Sequence, residues 1–336
     1  MTLSLGPQMT TRLAGPHFAL ADWSPSQAPG EAPLSDRCTL LVTMKHEDLL
    51  IRPGRTVRLC DFDPGSTPGF DSKADARDKT ERDIERLAEL QEVFAASRSH
   101  ALLIVLQGMD SAGKDGTIKH VMSGVNPQGV DVHSFKTPTP QEEAHDFLWR
   151  SVYPLPERGR IGIFNRSYYE EVVVVRVHRE LLALEASAPE DDIWAKRFED
   201  INAFERHLAR SGTVILKFFL HLSKAEQRKR LLERLDDPNK NWKFSVDDVK
   251  ERQYWDRYQA AYEQALGATS TSWAPWYVIP ADRKWFVRVA IADLIVATLD
   301  SLGLRYPQLK GEAASDLEKF RAELEAEPNA GAAPTR

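Results

Sequence analysis

The chain has 336 residues, a net charge of −6 and 42% hydrophobic residues, which is typical of a folded globular protein. No apolar run approaches the roughly 18 residues of a membrane-spanning helix, and the N-terminus lacks a secretory-signal pattern. The acidic balance argues against a general nucleic-acid binder, which is usually basic. We therefore expect a cytoplasmic enzyme that binds neither membranes nor nucleic acid.

Residues 1–72 are rich in Pro and Gly and show weak periodicity, which predicts an irregular N-terminal extension. The only cysteines, Cys38 and Cys60, have no nearby Cys/His spacing typical of zinc, so we expect two reduced thiols. From 75 to 97, apolar residues recur every three or four positions among charges. That spacing predicts an amphipathic helix.

Short apolar runs, separated by long helical patterns, follow this helix. They predict strands at 101–107, 130–135, 161–164, 213–221 and 276–279. Strands that alternate with helices favour right-handed crossovers and a mostly parallel sheet covered on both faces. We expect an α/β domain over 73–305, and a C-terminal helix with a frayed tail over 306–336.

The first predicted strand runs directly into a glycine-rich loop, Gly108 to Thr117, and a helix follows. Glycines let backbone N–H groups turn inward around an anion, and the helix N-terminus adds partial positive charge. Lys114 can reach terminal phosphate oxygens. The strand and helix context favours a phosphate site over an ordinary turn. We expect phosphate contacts from Gly108, Ser111, Ala112, Gly113, Lys114, Asp115, Gly116 and Thr117.

The loop departs from the usual pattern at Asp115, where a Ser or Thr hydroxyl normally contacts Mg²⁺. A metal must therefore be held differently. Asp110 is a suitable ligand, because Mg²⁺ binds through one or two carboxylates together with water and substrate phosphates. The alternative, in which Asp110 only hydrogen-bonds loop amides, stays open.

Polar and cationic residues also follow the third predicted strand. Asn165 and Arg166 come at its carboxyl end, where open α/β sheets bind their ligands. Arg166 can neutralise charge that develops on a transferring phosphoryl group, whereas Asn165 offers a metal only a neutral oxygen. A plain surface arginine is the alternative.

A basic segment lies between Lys224 and Lys243, with seven basic and four acidic residues. Such a run is often a solvated helix face. Beside a phosphate loop it favours a mobile lid, about 224–258, that closes over an anionic donor and excludes water. Ser245 is expected to cap a helix whose aromatic stripe, 255–266, packs in the core.

These segments together resemble the polyphosphate kinase type 2 family over roughly residues 50–305. The family's first motif looks like 108–116, its second like 164–170, and its lid like 227–245, while 269–282 also fits. The resemblance implies a thymidylate-kinase-like P-loop fold, a three-layer α/β sandwich with a helical lid. It also implies Mg²⁺, with Mn²⁺ as an alternative, and reversible phosphoryl transfer between inorganic polyphosphate and a nucleotide.

The resemblance also assigns residues. The implied catalytic residues are Asp110, Lys114, Asn165 and Arg166, with Asp110 and Asn165 at the metal. Further phosphate contacts are implied for Arg176, Lys229, Arg230, Arg234 and Lys243.

Many members of the family have Asp where this chain has Asn165, and the Asn resembles the branch that accepts AMP as well as ADP. Adenine nucleotides, with guanine nucleotides as further acceptors, and a homodimer or homotetramer are thereby implied. Two alternatives stay open: an ATP-dependent nucleoside monophosphate kinase, and a non-catalytic module that binds polyphosphate or nucleotides.

Overall fold

The computed structural model describes residues 44–182, 190–239, 241–243 and 245–327, without the side chains of 190–192, 243 and 312. The strands of this part of the chain are Leu50–Ile51 (β1), Ala101–Gln107 (β2), Val130–Ser134 (β3), Ile161–Asn165 (β4), Thr213–His221 (β5) and Trp276–Pro280 (β6). They form one sheet in the order β1-β6-β5-β2-β4-β3. Only β1 pairs antiparallel, with β6. The predicted mostly parallel sheet is confirmed.

Helices separate the strands. They are Lys73–Ser97 (α1), Lys114–Val121 (α2), Pro140–Glu143 (α3), Trp149–Val152 (α4), Glu170–Val177 (α5), Glu190–Arg210 (α6), Lys224–Asp236 (α7), Val246–Glu251 (α8), Trp255–Thr269 (α9), Lys284–Ser301 (α10) and Glu312–Ala326 (α11). Within the described ranges, none of these helices combines the length and apolarity needed to cross a bilayer.

The central strand β2 shows how the layers are built, because every side chain along it is buried. Leu102 and Ile104 pack in a core shared with α1, α2 and α10, whereas Leu103 and Val105 pack with α5, α6 and α9 on the other face. This alternation is the two-residue period of a strand that is covered on both sides. The predicted three-layer α/β architecture is therefore confirmed.

Part of the predicted irregular extension belongs to the sheet. Leu50 pairs with Tyr277 on β6, and Ile51 is 1% exposed. A strand of two residues is too short to show periodicity, so the sequence pattern gives no sign of it. Cys60 is an exposed free thiol, whereas Cys38 lies outside the described residues.

The prediction of one continuous helix from Ser245 through the aromatic stripe is wrong, because the structure divides this segment into two helices. Ser245 does cap α8, since its hydroxyl accepts from the Asp247 N–H at 3.1 Å, but α8 ends at Glu251. A 3₁₀ turn, Arg252–Tyr254, then precedes α9. At this turn Arg252 donates to the Lys224 carbonyl and to Gln227, both at 2.8 Å, which ties it to α7. The predicted core role of the aromatic stripe is confirmed, because Trp255, Tyr258, Tyr262 and Leu266 are buried.

The packing of α1 gives a stability prediction. Phe94 on α1 is 0% exposed, whereas Phe320 on α11 is 55% exposed. Phe94→Ala should lower the free energy of unfolding by about 3–5 kcal/mol, because it leaves a cavity in the core. Phe320→Ala, the same chemical change on a solvated helix, should cost less than about 1 kcal/mol. Urea unfolding measures both, and equal losses would contradict this assignment of the core.

Candidate active site

The loop between β2 and α2 curves through three residues with positive φ: Gly108 at 149°, Ser111 at 66° and Gly113 at 105°. A Cβ on Gly108 would lie 2.8 Å from the Leu220 carbonyl oxygen, so this position requires glycine. Backbone that turns in this way directs N–H groups into a concavity suited to anions. The other predicted loop contacts, Ala112, Asp115, Gly116 and Thr117, lie in this loop or in the first turn of α2.

The helix after the loop begins at Lys114, earlier than the predicted start at Thr117. The reason is that the Thr117 N–H already donates to the Gly113 carbonyl at 2.9 Å, which closes the first helical turn. The positive end of the helix therefore lies directly at the loop.

Lys114 folds back over the loop. Its ammonium donates to the Gly108 carbonyl at 2.6 Å and to the Met109 carbonyl at 3.3 Å. These bonds use two of its three donors and leave one for an anion. Burial, and secondarily the positive charge of Arg166, lower the pKa of Lys114. A phosphate at this loop would supply the opposite charge that the buried ammonium favours.

Arg166 meets the loop from the neighbouring strand. Leu106 on β2 lies in register with Asn165 on β4, so the carboxyl ends of the two strands are adjacent. Arg166 donates to Asp110 Oδ1 at 2.6 Å and to Glu170 Oε2 at 3.1 Å. Glu170 and then Asp110 raise the pKa of Arg166, which keeps the guanidinium charged.

The backbone of Arg166 is unusual, with a φ of 65° in the left-handed region. For a residue with a long side chain this conformation costs about 1–3 kcal/mol and persists only where the surroundings hold it. Strain of this kind is common at functional sites.

Oxygen ligands suitable for a metal lie beside these cations. Asn165 donates through its amide nitrogen to Asp115 Oδ1 at 2.6 Å, and Asp110 lies across the loop beside Arg166. In the described residues no group of three or more His, Cys, Asp or Glu side chains forms a protein-only metal cage. Two carboxylates and an amide oxygen nevertheless fit Mg²⁺, which keeps waters and shares its coordination with substrate phosphates.

Arg230 on α7, a predicted phosphate contact, lies buried against the carbonyl groups of the loop. It is 4% exposed, and its guanidinium donates to the carbonyls of Ser111, Ala112, Ala281 and Asp282 and to the Glu226 carboxylate at 2.7–3.1 Å. These contacts occupy all five of its N–H donors. Arg230 therefore braces the loop from below.

The other basic residues of α7 differ in burial. Arg234 donates to Asp248 on α8 at 2.8 Å, and burial together with the charge of Asp110 raises the pKa of Asp248. Asp248 thus lies within electrostatic reach of the loop. Lys229 is exposed, with its ammonium 3.5 Å from Glu226.

Two predicted phosphate contacts remain, Arg176 and Lys243. Arg176 on α5 stacks on Trp194 of α6, with 5.3 Å between the guanidinium carbon and the ring centre. The side chain of Lys243 lies outside the described residues, as do Lys240 and Phe244.

Sequence reasoning missed two residues at the site. Glu170, although it belongs to the second motif, was not predicted to pair with Arg166. Gln227 on α7 donates to the Asp110 carbonyl at 3.0 Å and so ties the predicted lid region to the loop. The four-residue spacing of Arg166 and Glu170 at the start of a helix is typical of an ion pair and could have predicted this contact. No sequence pattern predicts the contact of Gln227.

Comparisons with known proteins identify relatives. A model of the family described as polyphosphate kinase 2 matches residues 70–305. ADP-polyphosphate phosphotransferase of Rhodopseudomonas palustris is 47% identical over 285 residues, covering 84% of this chain and 99% of the relative. AMP/ADP-polyphosphate phosphotransferase of Meiothermus ruber is 49% identical over 259 residues, covering 77% of this chain and 94% of the relative.

A solved structure is also similar. The crystal structure of polyphosphate kinase 2 from Arthrobacter aurescens TC1 aligns with a TM-score of 0.76 at 41% identity, covering 84% of this chain and 98% of that one.

The role of Arg230 as a brace can be tested by stability. Arg230→Lys keeps the positive charge but cannot make five hydrogen bonds, so it should lower the free energy of unfolding by about 2–4 kcal/mol. Arg228→Lys is the matched control, because Arg228 is exposed on the same helix and should lose less than about 0.5 kcal/mol. Urea unfolding of both variants measures the difference. A fully stable Arg230→Lys protein would show that the charge alone matters.

Proposed function

The chain belongs to the polyphosphate kinase 2 family, and we propose that it moves a terminal phosphoryl group between inorganic polyphosphate and AMP or ADP in either direction. Polyphosphate-dependent phosphotransfer to nucleotides is the activity of its named relatives, and this chain is an enzyme of that kind. The proposal rests mainly on one observation: Lys114, Arg166 and Asp110 lie together at a single glycine-rich loop whose shape suits an anion.

Phosphoryl transfer needs little covalent catalysis by protein side chains. It needs the attacking and leaving oxygens in line, and positive charge around the equatorial oxygens of the transferring group. In this proposal the loop amides and Lys114 hold the phosphate chain. Arg166, directed to the loop from the end of β4, stabilises the charge that develops during transfer. An acceptor that is itself a phosphate needs no strong general base.

A divalent metal belongs to this chemistry, and we propose Mg²⁺, with Mn²⁺ as an alternative. When bound, the ion neutralises phosphate charge. Asp110 would hold it through a carboxylate oxygen, and Asn165 would add the oxygen of its amide. The Asp110–Arg166 pair keeps the carboxylate at the loop edge and offsets its repulsion of the phosphates.

The basic face of α7 fits the donor. In the proposal Lys229, Arg234 and Lys243 attract the polyphosphate chain. The part of the predicted lid, 224–258, that follows Arg230 and precedes the buried Trp255 closes over the chain to exclude water. Gln227 and Arg230 connect the same helix to the loop, so its position and the shape of the phosphate site are linked.

Lys114→Ala should reduce turnover of ADP and polyphosphate at least about 10³-fold, because it removes a preorganised charge from the transferring group. The fold should survive, since the removed ammonium donates only to loop carbonyls. Lys119→Ala, on an exposed position of the same helix, is the matched control and should keep near-normal turnover. A luminescent ATP assay measures both, and retained activity in Lys114→Ala would refute the assignment.

A further inference from the structure

A charged residue lies in the middle of the central sheet. Lys217 on β5 is in register between Val105 on β2 and Trp276 on β6, and its side chain is 0% exposed. Its ammonium donates to Glu205 Oε2 at 2.6 Å, to Tyr169 Oη at 2.9 Å and to the Thr269 carbonyl at 2.8 Å. Every donor of the buried ammonium is therefore used.

The partner carboxylate is equally buried. Glu205 on α6 is 0% exposed, and its second oxygen, Oε1, accepts from both Tyr168 Oη and Tyr169 Oη at 2.8 Å. Burial lowers the pKa of Lys217, and the Glu205 carboxylate opposes that effect. Through these hydrogen bonds the pair fixes the hydroxyl ends of the two tyrosine rings, and each tyrosine is 1% exposed.

The tyrosines continue the turn that begins at Arg166. Ser167 lies between Arg166 and the tyrosines in the chain. Its hydroxyl accepts from Gln107 Nε2 and from the Tyr169 N–H, both at 3.2 Å. The Glu170 N–H donates to the Ser167 carbonyl at 3.0 Å, so the turn leads directly into α5. Arg166 keeps a φ of 65° at the start of this turn, and such a conformation persists only when its surroundings hold it.

Stability alone gives a poor reason for this buried charge. Replacing a buried ion pair by apolar side chains of similar volume is often neutral or stabilising. The pair instead hydrogen-bonds Tyr168 and Tyr169, which belong to the turn from which Arg166 reaches Asp110. A rigid support for that turn is a role that apolar packing, which lacks direction, would fill less well.

We propose that Lys217 and Glu205, acting through Tyr168 and Tyr169, are positioning residues that hold the Arg166 turn in its reactive geometry. The inference rests on the proposed function, because it takes Arg166 as the group that stabilises the transferring phosphoryl. None of the four residues is required to touch substrate.

A double-mutant cycle between Tyr169→Phe and Arg166→Ala tests this proposal, with kcat and KM measured for ADP and polyphosphate. Tyr169→Phe removes one hydroxyl and should lower kcat about 10- to 100-fold with little change in KM, since small misplacements of a reacting group are costly. In the Arg166→Ala background the same change should lower kcat less than about 2-fold, because the group it positions is already gone. Tyr277→Phe is the control. Tyr277 lies on β6 and packs against the core on the other face of the sheet, so loss of its hydroxyl should leave kcat unchanged.

Equal kcat losses from Tyr169→Phe in both backgrounds would overturn the proposal, because a purely structural defect acts whether or not Arg166 is present. If circular dichroism shows that Tyr169→Phe is unfolded, Lys217→Met combined with Glu205→Gln replaces it in the same cycle. A wild-type protein without turnover would instead refute the proposed function, so the two failures are distinguishable.

Discussion

Arg230 donates to two carbonyls of the loop between β2 and α2 and so holds its curved shape, and this loop carries Asp110 and leads into Lys114. Four of its hydrogen bonds join Ser111 and Ala112 of the loop to Ala281 and Asp282 after β6. A loop built on positive φ angles is costly to hold, and a buried planar guanidinium with fixed donors is well suited to hold it. The loop is thus anchored across the sheet by Arg230, and in the proposed function this anchor does not need to touch phosphate.

The charges around the loop are arranged in pairs. Arg166 is shared by Asp110 and Glu170, and Arg234 pairs with Asp248. In the proposed function an entering polyanion would compete with these carboxylates for their cations, and a bound divalent metal would relieve the remaining repulsion. The same pairs set the position of each cation before substrate arrives, so little reorganisation is needed at the moment of transfer.

Much of this protein could be predicted from its sequence. Buried strands were identified because both faces of the sheet are covered, which makes their sequences continuous apolar runs. The loop and the polar end of β4 were found because the carboxyl edge of a parallel sheet collects ligands. The role of Arg230 could not be predicted, because sequence spacing gives its charge but not the direction of its side chain. Likewise the sequence shows Lys217 only as one charge within the apolar run of β5, because its partners Glu205 and Tyr169 belong to other elements, α6 and the turn before α5.

In the proposed function the loop after β2 aligns a polyphosphate chain with a nucleotide acceptor. Phosphorus NMR of the wild-type protein with Mg²⁺, polyphosphate and either ADP or AMP measures this transfer. We expect the nucleotide to gain one phosphoryl group as polyphosphate shortens, without ATP as the initial donor. No transfer from polyphosphate, together with conversion of ATP and AMP to ADP, would contradict it.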